Sequence, residues 1–119
     1  MNGAALIRWG TARAGREAKG LEVFGSAVVH FENMAKQGRI HGHREYFSIT
    51  GRDGGFMMLE GEVEELTRIL SERETIRLNA QASAIVHDYD IQVYAGGNDQ
   101  SVAELTGDYM ASLQQLGYV

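Results

Sequence analysis

Residues 43–60 read HREYFSITGRDGGFMMLE, and the fold turns on how this stretch is parsed. His43 to Thr50 is rich in Tyr, Phe, Ile and Thr, side chains that suit a pleated, half-buried surface. Gly51-Arg52-Asp53-Gly54-Gly55 is a turn, and Phe56 to Glu60 is a second extended run. So short a connection makes the two runs an antiparallel hairpin. The chain has no proline and 15 glycines, so glycine supplies most of the turn punctuation.

Upstream, Arg16 to Gln37 is helical. Leu21, Phe24, Val28, Phe31 and Ala35 recur at spacings of three and four and share one face, which Ala27 and Met34 widen. Gly38 is placed to end that helix in the left-handed conformation. Before it, Leu6 to Ala12 reads as a strand, with Ile7, Trp9 and Thr11 on one side and Leu6, Arg8 and Gly10 on the other. Downstream, two helical pieces follow, Val63–Leu70 and Glu72–Ile85. Glu64 and Glu65 lie in the first turn of the former, where the helix dipole favours carboxylates. Ser71-Glu72-Arg73-Glu74 has a capping-box pattern and marks a bend between the two; one continuous helix is the alternative. Tyr89 to Ala95 is a fourth strand, with Ile91, Val93 and Ala95 on one face and Asp90, Gln92 and Tyr94 on the other. Ser101-Val102-Ala103-Glu104 is a second capping box. It opens a helix whose stripe is Val102, Leu105, Tyr109, Leu113 and Leu116, ended by Gly117.

The order strand, helix, strand, strand, helix, strand is the split β-α-β arrangement. The expected fold is α+β: a ferredoxin-like core over residues 5–95 with a four-stranded antiparallel sheet, and an added helix over 101–116. No linker, repeat or second domain interrupts residues 1–119. Hydrophobic residues make up 44% of the 119 and charged residues 23%, a composition that can bury a core.

The net charge of -5 argues against nucleic acid as the main partner, because phosphate binding needs clustered Lys and Arg. Arg8, Arg13, Arg16 and Lys19 lie close together, and Arg39, Arg44 and Arg52 are scattered; solvated surface charge accounts for them. The absence of cysteine excludes disulfides, thiolate zinc sites and Cys nucleophiles. No apolar run approaches the roughly 20 residues of a membrane helix. Met1 to Leu6 lacks the features of a signal peptide, so the expectation is a cytoplasmic protein with no membrane partner.

A sheet with helices on one face leaves the other to water or to a partner. Depending on register, that face carries Trp9 or Leu6, Phe47 or Tyr46, Phe56 or Met57, and Tyr94, too much aromatic surface for open water. A second copy packed sheet to sheet about a two-fold axis is the expected solution, with the C-terminal helix at or near the interface. The alternative is a monomer in which that helix folds over the sheet.

The strand order resembles the dimeric α/β-barrel superfamily, which includes antibiotic-biosynthesis monooxygenase-like, muconolactone isomerase-like and YciI-like proteins. The resembling residues are Arg13-Ala14-Gly15-Arg16-Glu17, Gly55-Phe56-Met57-Met58-Leu59-Glu60-Gly61 and Val63-Glu64-Glu65-Leu66. The resemblance covers residues 5 to 95. It implies a pocket in each half of a dimeric barrel and cofactor-free oxidation or isomerisation of a small organic compound. It carries no catalytic set onto particular residues.

Three groupings of side chains suggest chemistry. In an extended strand His41, His43 and Glu45 point to one side, and two imidazoles with a carboxylate can hold Zn, Fe or Mn. His43 and Glu45 alone are a candidate general base and its partner, since histidine titrates nearest neutral pH; a satisfied structural pair is the competing explanation. Trp9, Tyr46 and Tyr94 are candidates to line a pocket for a flat ligand, with Arg8 and Gln92 as polar anchors. Plain packing in a dimer core explains the same aromatics. His30 at the edge of the first helical stripe and His87 beside Asp88 read as structural and surface residues. Gly51 to Gly55 lacks the Lys-Ser/Thr of a phosphate loop, and no G-x-S-x-G motif marks a hydrolytic serine. The function classes are therefore a small-molecule-binding protein or cofactor-independent enzyme, a noncatalytic dimeric module, and a metal site at His41, His43 and Glu45. No cofactor is expected.

Overall fold

The computed structural model describes residues 1–51 and 53–119; Arg52, in the expected hairpin turn, lies outside the described residues. The elements are β1 (Asn2–Trp9), α1 (Glu17–Lys36), β2 (Gly42–Phe47), β3 (Gly55–Glu62), α2 (Val63–Leu70), α3 (Arg73–Ile85), β4 (Asp90–Ala95) and α4 (Asp99–Gln115). The sheet order is β2-β3-β1-β4, with every neighbour antiparallel. This is the ferredoxin-like arrangement expected from the element order, with α4 added.

The first strand begins and ends earlier than expected, at Asn2–Trp9 and not Leu6–Ala12. Gly3, Ala4 and Ala5 have no side chains that announce a strand. They are held as one because β1 is central and pairs on both sides, Ala5 with Leu59 and Val93. The bend between the second pair of helices is present, but its capping differs. Glu72 is the N-cap of α3 and makes no side-chain cap bond, while the Ser71 hydroxyl donates to the Arg68 carbonyl at the end of α2. α4 is likewise capped three residues before Ser101: Asn98 Oδ1 accepts from the Ser101 amide at 2.8 Å.

The register divides the sheet into two faces. Ala5, Ile7, Met57 and Leu59 face the helices and join Phe31, Met34, Ile40, Leu66 and Ile69 in the buried core. Trp9, Phe24, Ala27, Val28 and Ile91 pack against it. On the opposite face the pairings Leu6 with Met58 and Gln92, Arg8 with Phe56 and Asp90, Ala4 with Glu60 and Tyr94, and Arg44 with Met58 set out a grid. Leu6, Met58 and Phe56 lie near its middle, with polar and charged side chains around them. Tyr46 stacks on Phe56 at 4.8 Å between ring centroids. Among the described residues no helix covers this face.

α2 rests on the sheet, touching β1, β3 and β4, whereas α3 packs mainly on α1. α4 touches β4 and little else, and only Ser101 of its residues is buried. It does not fold over the open sheet face, as the monomeric alternative would have it. The projecting helix gives extents of 55 × 33 × 25 Å and a radius of gyration of 16.8 Å, against about 13.5 Å for a compact chain of this length. Among the described residues no helix is long and apolar enough to cross a membrane.

Candidate functional site

Because α3 stands off the sheet, a cavity of about 450 Å³ opens between α1, α3 and the helix-side face of the sheet. Ligand pockets commonly span about 300–1,000 Å³. Its floor is Ile7, Trp9 and Met57, its walls are Phe24, Ala27 and Phe31 of α1 and Leu78, Ala82 and Ile85 of α3, and Leu21 lies at its edge. Leu21 belongs to the apolar stripe of α1 yet is 73% exposed, because the cavity lies where its core neighbours would otherwise be.

Three aromatic rings meet at one end of the cavity. Trp9 contacts Phe24 edge-on at 5.8 Å and Phe47 at 6.1 Å, and Phe24 lies 5.1 Å from Phe47. Such edge-to-face groupings suit the ring quadrupole. Gly54 is what lets the hairpin close over Trp9: a Cβ there would lie 2.2 Å from Trp9 Cδ1 and 2.3 Å from the Gly10 carbonyl oxygen. The Gly54 amide donates to the Trp9 carbonyl at 3.0 Å.

The polar part of the lining is small. The Tyr89 hydroxyl donates to Asn79 Oδ1 at 2.6 Å, linking α3 to the start of β4. Burial pushes the Tyr89 phenol up to about 12, so it stays a neutral donor through the physiological range. Glu17 and Tyr89 are the titratable side chains among the described lining residues.

The sequence-predicted residues are distributed over several places. Trp9 lines this cavity. Arg8, Tyr46 and again Trp9 line a second hollow of about 580 Å³ toward the open side of the sheet, beside Phe56, Asp53, Asp88 and Asp90. Gln92 and Tyr94 stand on the open face of β4, outside both hollows. Arg8, Trp9 and Tyr46 thus come together, while Gln92 and Tyr94 stand further along the sheet, opposite Leu6 and Ala4.

His43 and Glu45 do meet. His43 Nδ1 is hydrogen-bonded to Glu45, and Nε2 lies 2.5 Å from Glu32 Oε2 of α1. Burial pulls the imidazolium down, but the two carboxylates outweigh it and the net shift is upward. Both ring nitrogens are thus engaged, and neither His43 nor Glu45 lines the cavity. His41 precedes β2, is exposed, and donates its amide to the Glu60 carbonyl at 2.7 Å. Among the described residues no three His, Cys, Asp or Glu side chains are placed to hold a metal ion, so the His41, His43 and Glu45 set is not assembled as a ligand group. His30 Nε2 lies 2.9 Å from Thr75 Oγ1 and ties α1 to α3.

Sequence reasoning missed Phe24, Phe47, Asn79 and Tyr89 as site residues. Phe24 read as part of the apolar stripe of α1, and Phe47, or Tyr46 in the other register, as aromatic surface of the uncovered sheet face. Asn79 carried a usable signal: it directly follows Leu78, beside the apolar face that Leu78, Ala82 and Ile85 make on α3.

No protein-family model matches the chain, and no curated protein matches it. Two solved structures share its fold. SnoaB from Streptomyces nogalater, described as a cofactor-independent oxygenase, superposes with a TM-score of 0.64 at 12% identity, over 82% of this chain and 94% of that one. A dimeric protein of unknown function and ferredoxin-like fold from Bacteroides fragilis NCTC 9343 superposes with a TM-score of 0.59 at 9% identity, over 78% and 94% of the two chains. The chain therefore has a ferredoxin-like fold.

Proposed function

We propose that this chain is a homodimeric protein that takes a flat, largely apolar organic compound into the cavity between α1, α3 and the sheet, and that it acts on that compound without a bound cofactor. The observation that carries the reading is the cavity itself. It is lined by Trp9, Phe24, Phe47 and aliphatic side chains, with the hydrogen-bonded pair Asn79 and Tyr89 and the carboxylate of Glu17 among its polar groups. The rings sort guests by flatness. The tyrosine uses the Asn79 oxygen as its acceptor, which leaves the amide NH2 as a donor pair for a carbonyl or hydroxyl oxygen on the guest. The oxygenase chemistry described for SnoaB supports oxidation of such a compound as the reaction class. Dioxygen is the oxidant in this reading: it takes the substrate's electrons, and Glu17, the lining carboxylate, takes the proton that the substrate gives up.

Dimerisation in this reading uses the open sheet face. Its apolar middle, with Arg8, Arg44, Glu60 and Asp90 around it, has the anatomy of an interface core and rim. The two-fold axis of such a dimer can set charges of opposite sign against each other. His43, Glu32 and Glu45 are assigned a structural part, tying β2 to α1. Binding without turnover is the second reading, favoured by how few titratable groups line the cavity.

The test is calorimetry with 2-naphthol as a flat probe and cyclohexanol as a non-flat control. Burying about 150 Å² of ring at roughly 25 cal/mol per Å² gives about 4 kcal/mol, so a fragment of this size should bind near the millimolar range. Saturable binding of 2-naphthol at one site per protomer, weakened roughly five- to tenfold by Asn79→Ala through a lost hydrogen bond, is the expected result. Equal affinity for both probes, or none for either, overturns the reading. Oxygen uptake on addition of a bound phenol separates turnover from binding.

A further inference from the structure

α4 is specified at both ends and supported along neither side. At its root Asn98 caps the first turn, Asn2 Nδ2 donates to the Gly96 carbonyl at 2.7 Å, and the Asn2 amide donates to Ser101 Oγ at 3.2 Å. The root is thus tied to β1, and the direction in which the helix leaves the body is set. At the far end Gly117 adopts φ 80°. The Tyr118 amide bonds the Leu113 carbonyl at 2.9 Å, and the Gly117 amide bonds the Gln114 carbonyl at 3.0 Å. Those two bonds are the Schellman termination.

Between these ends Val102, Leu105, Tyr109, Leu113 and Leu116 make a continuous apolar stripe. Val102, Tyr109 and Leu116 are more than half exposed. A helix of 17 residues with Gly107 in its middle is marginal in water without packing, since isolated helices of about 12–15 residues barely hold. The stripe needs a surface to lie on, and its own body does not supply one.

We infer that α4 is an exchanged arm: its stripe packs on a second copy of this chain, along the rim of that copy's open sheet face. This rests on the homodimer proposed above. Two observations point to the same occupant. First, α4 is continuous with that interface, since β4, which leads into it, carries Tyr94 on the open face. Second, the stripe is long enough to extend that interface: a helix of 17 residues spans about 26 Å.

The full-length chain tests this by sedimentation. Leu105→Glu/Leu113→Glu should raise the dimer dissociation constant roughly a hundredfold or more while the monomer still binds 2-naphthol. Met58→Glu, at the middle of the sheet face, should do the same. A wild-type chain that is monomeric at about 100 µM overturns the dimer itself. A dimer that Met58→Glu dissolves and the double α4 variant leaves intact keeps the dimer and overturns the arm. A second readout does not depend on stability. The chain has no cysteine, so Gln114→Cys carries a single nitroxide. In mixed dimers with isotope-labelled wild type it should broaden amide signals of the unmodified copy's sheet. Sharp signals throughout overturn the exchange.

Discussion

The layer between helices and sheet has two ends that are built differently. At the α2 end Leu59, Leu66 and Ile69 are fully shielded from solvent, and the helix lies directly on three strands. At the α3 end the helix leans on α1, and Trp9, Phe24 and Phe47 surround empty volume. The same run of chain, broken at Ser71–Glu72, thus closes one end and lifts away from the other. Arg39 holds the break: its Nε donates to Glu65 of α2 at 2.8 Å, and its two terminal nitrogens grip Glu72 at 2.9 and 2.8 Å. Such a planar two-point grip fixes orientation as well as position. A stable core and an open binding volume can coexist in a small domain because different helices make them.

The sharpest way to break this comparison is to remove one leucine from each end. Leu66→Ala should cost about 2–5 kcal/mol, because the close-packed end cannot collapse around the lost volume. Leu21→Ala, at the edge of the cavity, should stay within about 0.5 kcal/mol, as exposed substitutions do. Urea denaturation of both variants measures the difference. Equal losses would mean that the cavity end is packed like the rest.

A second substitution fills the hollow instead of emptying the core. Ala27 lines the cavity from α1. Leucine there enters space that is already empty, so the overpacking penalty of about 1–3 kcal/mol for a filled core should be largely absent. Stability should change by less than about 1 kcal/mol, while 2-naphthol affinity should fall at least tenfold. A large loss of stability with affinity retained would place the guest elsewhere.

How much of this was legible in the sequence follows from how local each feature is. Element order and type were readable because periodicity is local: the hairpin, both helical stripes and the bend near residue 71 are all present. Boundaries failed where pairing with distant strands overrides weak local preference, as at Gly3-Ala4-Ala5. The two sets of side chains on β1 followed from alternation, but which set meets the helices depends on pairing with β3 and β4. Asn79 and Tyr89 were not found, because their pairing joins a helix to the next strand and leaves no spacing motif. The reverse holds for His43 and Glu45. Their i, i+2 spacing made the pair visible, but Glu32, which engages the other ring nitrogen, comes from a different element.

That histidine sets the smallest and most specific prediction. His43 sits between Glu32 of α1 and Glu45 of β2, with its side chain 9% exposed. Its folded-state pKa is raised: burial lowers it, and the two carboxylates raise it by more. A group protonated more readily in the folded chain stabilises most below its unfolded value of about 6.5. That contribution is lost as pH rises through the folded value. Wild type should therefore exceed His43→Gln in stability by the widest margin near pH 6, by roughly 0.2–1 kcal/mol as for partly exposed ion pairs. The margin should narrow steadily as the medium becomes alkaline, and 2-naphthol binding should be unchanged, since His43 does not line the cavity. A margin that grows with pH would mean that the imidazole is held neutral, as a base poised for chemistry would be, and would move His43 from scaffold to active site.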